Sequence, residues 1–417
     1  MGASDRRKNL IRFVVGSGLA NALGMVWSAV AGRTLGPEAG ADYFAALFLL
    51  QAVYMAGHPL NGVMAKLGAE HRAAGHAGEV GRLASWLLRR AGAVLFVGLV
   101  LALITLPWQV EALHFSDPWA LALGWIGGTL VLGLGVLRGS LRGALLLDGL
   151  AWNFLLDAAL RLGVGLALLI GVELVASAAV AAHLVSSLAA AFAATWVLRS
   201  RLRHEPLAPE PTSSASVMAL ALPMLGLSLC DAAWQNADAL IAKHALDATL
   251  AGHYGAVATL TKLFGVLVQP FALLVIPLLV EAREGPAAGR RLAQLLLAFL
   301  GLATVALAVL AAAPGLWMRW LFGAAFEAAA PLVLPQAVGA LLIYLSMLFT
   351  QALAARGRFA FLMPFALLFL GLLAATVGVD DAVTLAWRQA AAKALVLVAL
   401  VVSWRVSGRG DRPAAVG

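Results

Sequence analysis

Basic residues inside long apolar runs are the first residues of this sequence whose chemistry calls for an explanation. Lys262 and Lys393 each lie in such a run, as do Arg161 and Arg388. A charged side chain at the centre of a bilayer costs roughly 2.5–3.5 kcal/mol on insertion scales, so it needs a partner or a ligand. We interpret these four residues as candidate substrate-binding cations that suit an anionic group such as a pyrophosphate.

Each of these cations also has a structural interpretation. Asp157 precedes Arg161 by four residues and lies on the same helix face, so the two can form an ion pair. Lys262 and Lys393 have no acidic residue in their own runs. A carboxylate on a neighbouring helix, water, a ligand or snorkelling of the side chain to the interface must therefore satisfy each ammonium group.

Polar residues at helical spacing form a stripe in a second apolar run. Asp231, Trp234, Gln235 and Asp238 are three, four and seven residues apart, which places them on one face of a helix. Lipid does not solvate such a face, so it points into the protein, where it lines a polar cavity, couples a cation or makes an internal packing contact.

A shorter polar stripe precedes these runs. It consists of His58, Asn61 and Lys66. Pro59 lies between the first two of these residues and kinks the helix. We include His58 and Asn61 among the candidate cavity residues.

Sequence features of an enzyme are missing. The chain contains no phosphate-binding G-x-x-x-x-G-K-[ST] loop, no Ser/His/Asp or paired-carboxylate arrangement on the outer face, and no metal-ligand spacing. The single cysteine, Cys230, forms no internal disulfide. Glycines spaced by four, at 124, 128, 135, 139 and 143, favour close helix packing over phosphate binding. We expect a protein that is not an enzyme and that uses no cofactor and no metal.

The elements that position these residues are membrane-spanning helices. Of the 417 residues, 62% are hydrophobic and 12% are charged, against about 25% charged in soluble domains. Apolar runs long enough to cross a bilayer recur with short polar gaps. The predicted spans are 11–32, 42–65, 91–108, 119–137, 150–171, 174–198, 217–241, 252–280, 292–313, 331–353, 360–378 and 383–404.

Basic residues fix the predicted orientation of these spans. With the amino terminus in the cytoplasm, 22 of the 29 Lys and Arg residues fall on the cytoplasmic side, 3 on the outside and 4 within spans. This asymmetry follows the positive-inside rule and places both termini in the cytoplasm. The basic residues behind the formal charge of +8 therefore set the orientation of the spans and contact lipid head groups. Nucleic acid is not an expected partner.

An internal repeat divides the chain into halves. At one constant offset of 211 residues, Tyr43 matches Tyr254, Pro59 matches Pro270, Glu70 matches Glu281 and Arg72 matches Arg283. Six spans per repeat give both halves the same orientation, which predicts two parallel six-helix bundles around a central cavity. The predicted division is an amino-terminal bundle at 1–198, a flexible cytoplasmic linker at 199–216 that contains three prolines, and a carboxy-terminal bundle at 217–417.

Short motifs at the start of each half resemble the polysaccharide (O-antigen type) flippases of the multidrug/oligosaccharidyl-lipid/polysaccharide exporter superfamily. They are NALG at 21–24, AGRTLGPE at 31–38 followed by Tyr43, NADALIAK at 236–243 and LAGHY at 250–254. Trp317 with LFGAAF at 321–326 is similar as well. Lys262 occupies the place of a basic residue, and Asp238 the place of an acidic residue, in that family. Ala239 stands where the family often has arginine.

This resemblance implies an all-α polytopic protein of the bacterial inner membrane. It would move an undecaprenyl-pyrophosphate-linked oligosaccharide to the outer leaflet by alternating access, for surface polysaccharide biosynthesis. Membrane lipids, a polysaccharide polymerase and assembly proteins would be its further partners. The lipid tail would stay in the bilayer while the sugar head crosses a cationic cavity.

Two other functions compete with this interpretation. A drug/cation antiporter of the same superfamily should have a predominantly acidic cavity, whereas the surplus charge within the spans is basic. A membrane-embedded polysaccharide polymerase or glycosyltransferase normally needs a large outer loop with convergent catalytic residues, and the predicted outer loops are short.

The predicted topology has a direct test. A reporter fused at Glu210 should be active in the cytoplasm, because the basic residues place the 199–216 segment there. Activity of the fusion only outside the membrane would overturn the orientation of every span.

Overall fold

Helices make up nearly all of the described chain, which in this computed structural model comprises residues 3–171, 175–209, 213–268, 271, 286–355 and 358–409. No strand occurs among these residues. The α-helices are α1 (Ala3–Ala56), α2 (His58–Ala73), α3 (Gly78–Ile104), α4 (Leu106–Ala112), α5 (Pro118–Gly143), α6 (Leu147–Gly171), α7 (Ala176–Leu202), α8 (Ser214–Ala245), α9 (Ala248–Thr261), α10 (Pro286–Ala312), α11 (Pro314–Phe322), α12 (Ala330–Ala355), α13 (Leu362–Ala375) and α14 (Ala382–Arg409). A 3₁₀ helix at Ala324–Ala329 precedes α12.

The predicted membrane spans fall on these helices. Nine helical stretches in the described residues are long and apolar enough to cross a membrane, and α13 is a shorter apolar helix. The first stretch, Val15–Ala73, contains the first two predicted spans. The eighth predicted span begins within α9 and continues as helix over 263–268, while its residues 269–270 and 272–280 lie outside the described residues. The expectation of an all-α polytopic membrane protein of about twelve spans is therefore confirmed.

Some span boundaries differ from the prediction. The expected connection between spans one and two is a sharp, non-helical turn at Gly36, whose φ of 72° suits glycine, followed by Pro37. The range of α1 therefore contains two helices joined at this turn. Helix α3 begins at Gly78 rather than at 91. Arginines at 82, 89 and 90 end the apolar run at this point but do not interrupt a helix, so hydropathy alone placed the start of the helix too late.

The chain forms two compact units. One unit comprises residues 1–35 and 42–232, and the other comprises 36–41 and 233–417. Both units share one packing pattern. In the first unit, α5 packs against α2, α3 and α7, and α7 packs against α6. In the second unit, α12 packs against α9, α10 and α14, and α14 packs against α13. This correspondence supports the two predicted repeats.

The tyrosines matched by the repeat have equivalent positions. Tyr43 is fully buried, and its ring centroid lies 6.3 Å from that of His183 on α7, the helix that corresponds to α14 in the packing pattern. Tyr254 is buried on α9, and its hydroxyl donates to Gln389 on α14, the last helix of the other unit. The other matched partners in the second half, Pro270, Glu281 and Arg283, lie outside the described residues.

The residue before each tyrosine holds a connection in place. Asp42 accepts hydrogen bonds from the backbone N–H groups of Ser116 and Asp117 at 2.9 and 2.8 Å, just after the short helix α4. Nε2 of His253 lies 3.0 Å from the carbonyl oxygen of Ala325, just after the short helix α11. Asp42 and His253 are thus different side chains that each hold the segment after a short helix at equivalent places in the two units.

Glycines spaced by four on α5 allow close packing, as the sequence predicted. A Cβ atom on Gly139 would lie 2.5 Å from the carbonyl oxygen of Asn61, and one on Gly143 would lie 2.6 Å from that of Met64. Both carbonyls belong to α2, so any side chain larger than hydrogen would push α2 away from α5.

The segment predicted as a linker begins inside α7 and then contacts α3. The backbone N–H of Gly78 donates to the carbonyl oxygen of Pro206 at 3.0 Å, and Arg82 Nη2 donates to that of Ala208 at 3.5 Å. Residues 206–208 are therefore fastened to the first turn of α3. The role of 199–216 as a linker between the repeats stays a prediction.

Gly139→Ala should destabilise the protein by about 1–3 kcal/mol, because overpacking forces α2 and α5 apart. Thermal unfolding of purified protein measures this loss. Gly135→Ala is the matched control one turn earlier, since its Cβ would meet only a Tyr54 ring atom at 3.7 Å. Equal stability of the two variants would contradict the close packing.

Candidate functional site

Three helices of the first unit meet around one buried carboxylate, Asp157 on α6. Its Oδ2 lies 2.8 Å from Nη2 of Arg138 on α5, and its Oδ1 lies 2.9 Å from Nη2 of Arg161, one turn later on α6. The hydroxyl of Ser186 on α7 donates to Oδ1 at 2.8 Å. Charge-assisted hydrogen bonds from three side chains therefore satisfy this carboxylate among apolar helices.

Arg138 is a member of this cluster that the sequence prediction assigned to the cytoplasmic surface. It is only 4% exposed, its Nε donates to Oδ1 of Asn153 at 2.8 Å, and its guanidinium carbon lies 4.3 Å from the ring centroid of Phe154. Asn153 in turn donates to the carbonyl oxygen of Ala190 on α7 at 2.6 Å. The spacing of Asn153, Asp157 and Arg161 by four residues was the signal that could have indicated a polar helix face here.

The ion pair considered as the alternative for Arg161 is present in the structure. About a fifth of the side chain, 22%, remains exposed, so Arg161 is the accessible member of the cluster. A Cβ atom on Gly24 of α1 would lie 3.9 Å from its Nη1, so α1 approaches the guanidinium closely. Its role in binding substrate stays a prediction.

The second unit has a corresponding cluster around Asp238 on α8. Nζ of Lys393 on α14 lies 3.1 Å from Oδ2 of Asp238, and the lysine side chain is buried. Nζ of Lys262 lies 3.4 Å from Oδ1 of Asn236, which precedes Asp238 by two residues on α8. The counter-charge that Lys393 needs is thus supplied by a neighbouring helix.

Lys262 lies at a break in its helix. Helix α9 ends at Thr261, and the chain is helical again from 263 to 268. The backbone N–H of Lys262 bonds to the carbonyl oxygen of Thr259 at 3.2 Å, and that of Gly265 bonds to the carbonyl oxygen of Lys262 at 2.9 Å. The break is therefore a local change to i→i+3 hydrogen bonds, and both backbone groups of Lys262 are used within it.

Two glutamines that the sequence analysis did not identify extend this cluster. Gln389 accepts from the Tyr254 hydroxyl and precedes Lys393 by one turn on α14. Gln336 on α12 donates to the carbonyl oxygen of Tyr254 at 3.2 Å. The one-turn spacing of Gln389 and Lys393 was available in the sequence, whereas nothing local connects Gln336 to either residue.

The polar stripe on α8 is divided between different roles. Trp234 is buried, and its indole N–H donates to the carbonyl oxygen of Phe365 at 3.2 Å, which is a packing contact. Asp231, Gln235 and Asp238 are half-buried. Asp238 pairs with Lys393, whereas Asp231 makes no ion pair within the described residues.

The remaining predicted residues lie apart from the two clusters. Arg388 is exposed and donates to the carbonyl oxygen of Ala375 at 2.7 Å, which caps the end of α13. His58 is exposed, with its ring 4.8 Å from that of Tyr54 in an edge-on contact. The backbone of Asn61 packs against Gly139.

Asp381 lies at the exposed start of α14, seven residues before Arg388. There the side chain and the backbone N–H of Thr384 donate hydrogen bonds to Asp381 and hold the pKa of its carboxyl below the usual range. This bond caps the helix that carries Lys393.

Each cluster brings two basic side chains near one carboxylate among the described residues. Arg138 and Arg161 contact Asp157 in the first unit. In the second unit Lys393 contacts Asp238, and Lys262 contacts Asn236, two residues before Asp238. Basic side chains gathered in this way within spanning helices suit an anionic ligand.

Comparisons with known proteins agree with this architecture. A family model described as "Polysaccharide biosynthesis protein" matches residues 7–283. No curated protein sequence matches the chain. Among solved structures, an inward-facing multidrug resistance MATE family transporter of the MOP superfamily has a TM-score of 0.76 at 12% identity, with 96% of this chain and 98% of that chain covered.

Two further solved structures share the fold. The lipid II flippase MurJ in an inward closed conformation has a TM-score of 0.74 at 10% identity, with coverage of 95% of this chain and 89% of that chain. A mutant of the Vibrio cholerae MATE transporter VcmN has a TM-score of 0.63 at 14% identity, with 98% of both chains covered. The chain therefore has the fold of MOP-superfamily transporters.

Asp157→Ala should destabilise the first unit by about 3–5 kcal/mol, because it leaves the buried Arg138 without its counter-charge. Thermal unfolding and the yield of inserted protein measure the effect. Asp148→Ala is the matched control, since its pair with Arg12 is exposed and is worth about 0–1 kcal/mol. Similar losses in both variants would show that the Asp157 cluster has no special structural role.

Proposed function

The chain belongs to the polysaccharide biosynthesis protein family, and from this we propose that it translocates a lipid-linked oligosaccharide across the bacterial inner membrane. Undecaprenyl pyrophosphate is the proposed lipid carrier, and both termini are proposed to lie in the cytoplasm. The membership and the transporter fold support a multi-pass carrier.

The two basic side chains gathered in each cluster are the single observation that carries the proposed substrate class. A pyrophosphate diester is an anion with several acceptor oxygens, and Lys262 and Arg161 are the less buried cations of their clusters. In the second unit we assign the ammonium of Lys262 to the pyrophosphate. In the first unit Arg161 is the proposed substrate-contacting cation. Lys393 and Arg138 are positioning residues that keep Asp238 and Asp157 neutralised.

Alternating access of the two repeats is the proposed motion. The pyrophosphate and the sugars would cross through the protein while the lipid tail remains in the bilayer. Half-buried Gln235 and Asp231 on α8 offer acceptors to sugar hydroxyls, and Asp231 is the proposed carboxylate for coupling a cation. His58 and Asn61 stay candidates for the same polar path.

Export of small organic cations is the competing function, because solved MATE transporters share the fold. A cationic substrate would need an uncompensated carboxylate. Asp157 and Asp238 are both paired with basic side chains, which favours an anionic substrate. Asp231 is the residue through which cation export would have to act.

Lys262→Ala should reduce transport of a fluorescent pyrophosphate-linked lipid in proteoliposomes by about 30-fold or more, the equivalent of about 2 kcal/mol for a lost charge contact. Lys262→Arg should retain part of the activity, and Lys262→Glu should be the least active, because a carboxylate repels the anion. Lys66→Ala, at an exposed position of α2, is the matched control and should be fully active.

The pair of Lys393 and Asp238 provides the second half of the test. Lys393→Ala should impair transport, because Asp238 loses its ion pair and then competes with the substrate for the ammonium of Lys262. The double change Lys393→Ala with Asp238→Ala should recover transport if Lys393 only positions the cluster. Full activity of Lys262→Ala, or uptake of a small organic cation in place of the pyrophosphate lipid, would contradict the proposed function.

A further inference from the structure

A groove in the first unit lies between helices α3 and α5. It has a volume of about 270 Å³ and is lined by residues between Leu88 and Leu99 of α3 and between Thr129 and Val136 of α5. The lining is apolar, and the hydroxyl of Thr129 is already bonded to the carbonyl oxygen of Trp125 at 2.9 Å. The groove therefore offers no hydrogen-bonding group to a polar ligand.

Two glycines create this space. No atom lies within 4 Å of the Cβ position of Gly92, and a Cβ on Gly133 would meet only a methyl carbon of Leu88 at 3.8 Å. Helix α3 is also largely exposed over residues 92–101, with Val94 at 73% and Phe96 at 66%. In a bilayer such an open apolar groove is filled by hydrocarbon, because an empty space loses the dispersion contacts of its walls.

Basic residues lie at one end of the groove. Arg89 precedes Gly92 by three residues and Phe96 by seven, so it occupies the same face of α3, and Arg90 follows it. Both arginines are exposed and make no ion pair within the described residues. The distribution of basic residues places this end of α3 at the cytoplasmic surface, where lipid phosphates lie.

The length of the groove distinguishes between lipids. The stretch from Leu88 to Leu99, twelve residues with eleven steps between them, rises about 17 Å at 1.5 Å per residue, which is about half of a ~30 Å hydrocarbon core. A single acyl chain spans one leaflet in this way, whereas a long polyprenyl chain would extend well beyond it. We infer that the α3–α5 groove binds one acyl chain of an anionic phospholipid of the cytoplasmic leaflet, with Arg89 and Arg90 at its phosphate.

This inference does not depend on the transported substrate, so it can fail or hold independently of the proposed function. The probe is a phosphatidylglycerol that carries a photoreactive group on one acyl chain, added to the full-length protein in phosphatidylcholine nanodiscs. Peptide mass spectrometry then locates the crosslinks. We expect them between residues 88 and 99 and between 129 and 136, and expect unlabelled phosphatidylglycerol to compete far better than phosphatidylcholine.

Two sets of variants distinguish binding of the acyl chain from binding of the phosphate head group. Gly92→Leu with Gly133→Leu fills the groove and should abolish the crosslinks, whereas Gly98→Leu adds the same bulk at an open position of α3 outside the groove and should leave them unchanged. Arg89→Gln and Arg90→Gln should each reduce the preference for phosphatidylglycerol about fivefold, which corresponds to about 1 kcal/mol per basic residue near the surface.

Three outcomes would overturn the inference. The first is crosslinking that Gly92→Leu with Gly133→Leu leaves intact while the protein remains inserted at normal abundance. The second is equal competition by phosphatidylcholine, which would remove the role of the arginines. The third is stronger competition by undecaprenyl phosphate than by phosphatidylglycerol, which would identify the groove as a binding place for the carrier lipid.

Discussion

Hydrocarbon does not solvate charge, and the placement of polar groups throughout this chain follows from that constraint. Asp157 and Asp238 each lie among apolar helices, and each is held by basic side chains from other parts of its own unit. Asn153 and Ser186 add hydrogen bonds to the first cluster across α5, α6 and α7. The charged residues therefore determine which helices must be neighbours, while glycine and alanine faces let those helices approach.

Sequence reasoning predicted the all-α class and the repeat because both follow from patterns that can be read directly in the sequence. Long apolar runs indicate spans directly, and Tyr43 and Tyr254 mark equivalent places in the two units. Helix ends were harder to predict, because hydropathy reports where a helix leaves the membrane and not where its hydrogen bonds stop. The predicted fourth span ended at 137, so Arg138 was placed at the surface, although α5 continues to Gly143 and buries it.

Partners across helices were the part of the site that sequence could not supply. The i,i+4 pair of Asp157 and Arg161 follows from helix geometry. By contrast, 155 residues separate Lys393 from Asp238, and no local rule connects them. From the sequence alone, the partner of Lys393 was therefore equally a neighbouring carboxylate, water, a ligand or the membrane interface. Gln336 was not predicted for the same reason, since only the packing of α12 on α9 brings its side chain to Tyr254.

A carboxylate within each cationic cluster also has a consequence for transport. A transporter must bind its substrate strongly enough to admit it and weakly enough to release it, so unopposed cations would hold a pyrophosphate too firmly. In the second unit Asp238 already engages Lys393, and Lys262 lies at a helix break against the amide of Asn236. Under the proposed function, an arriving anion would compete with Asp238 for the same positive charge. On departure of the anion the carboxylate would reclaim that charge, so the protein would itself supply the counter-ion that lipid cannot.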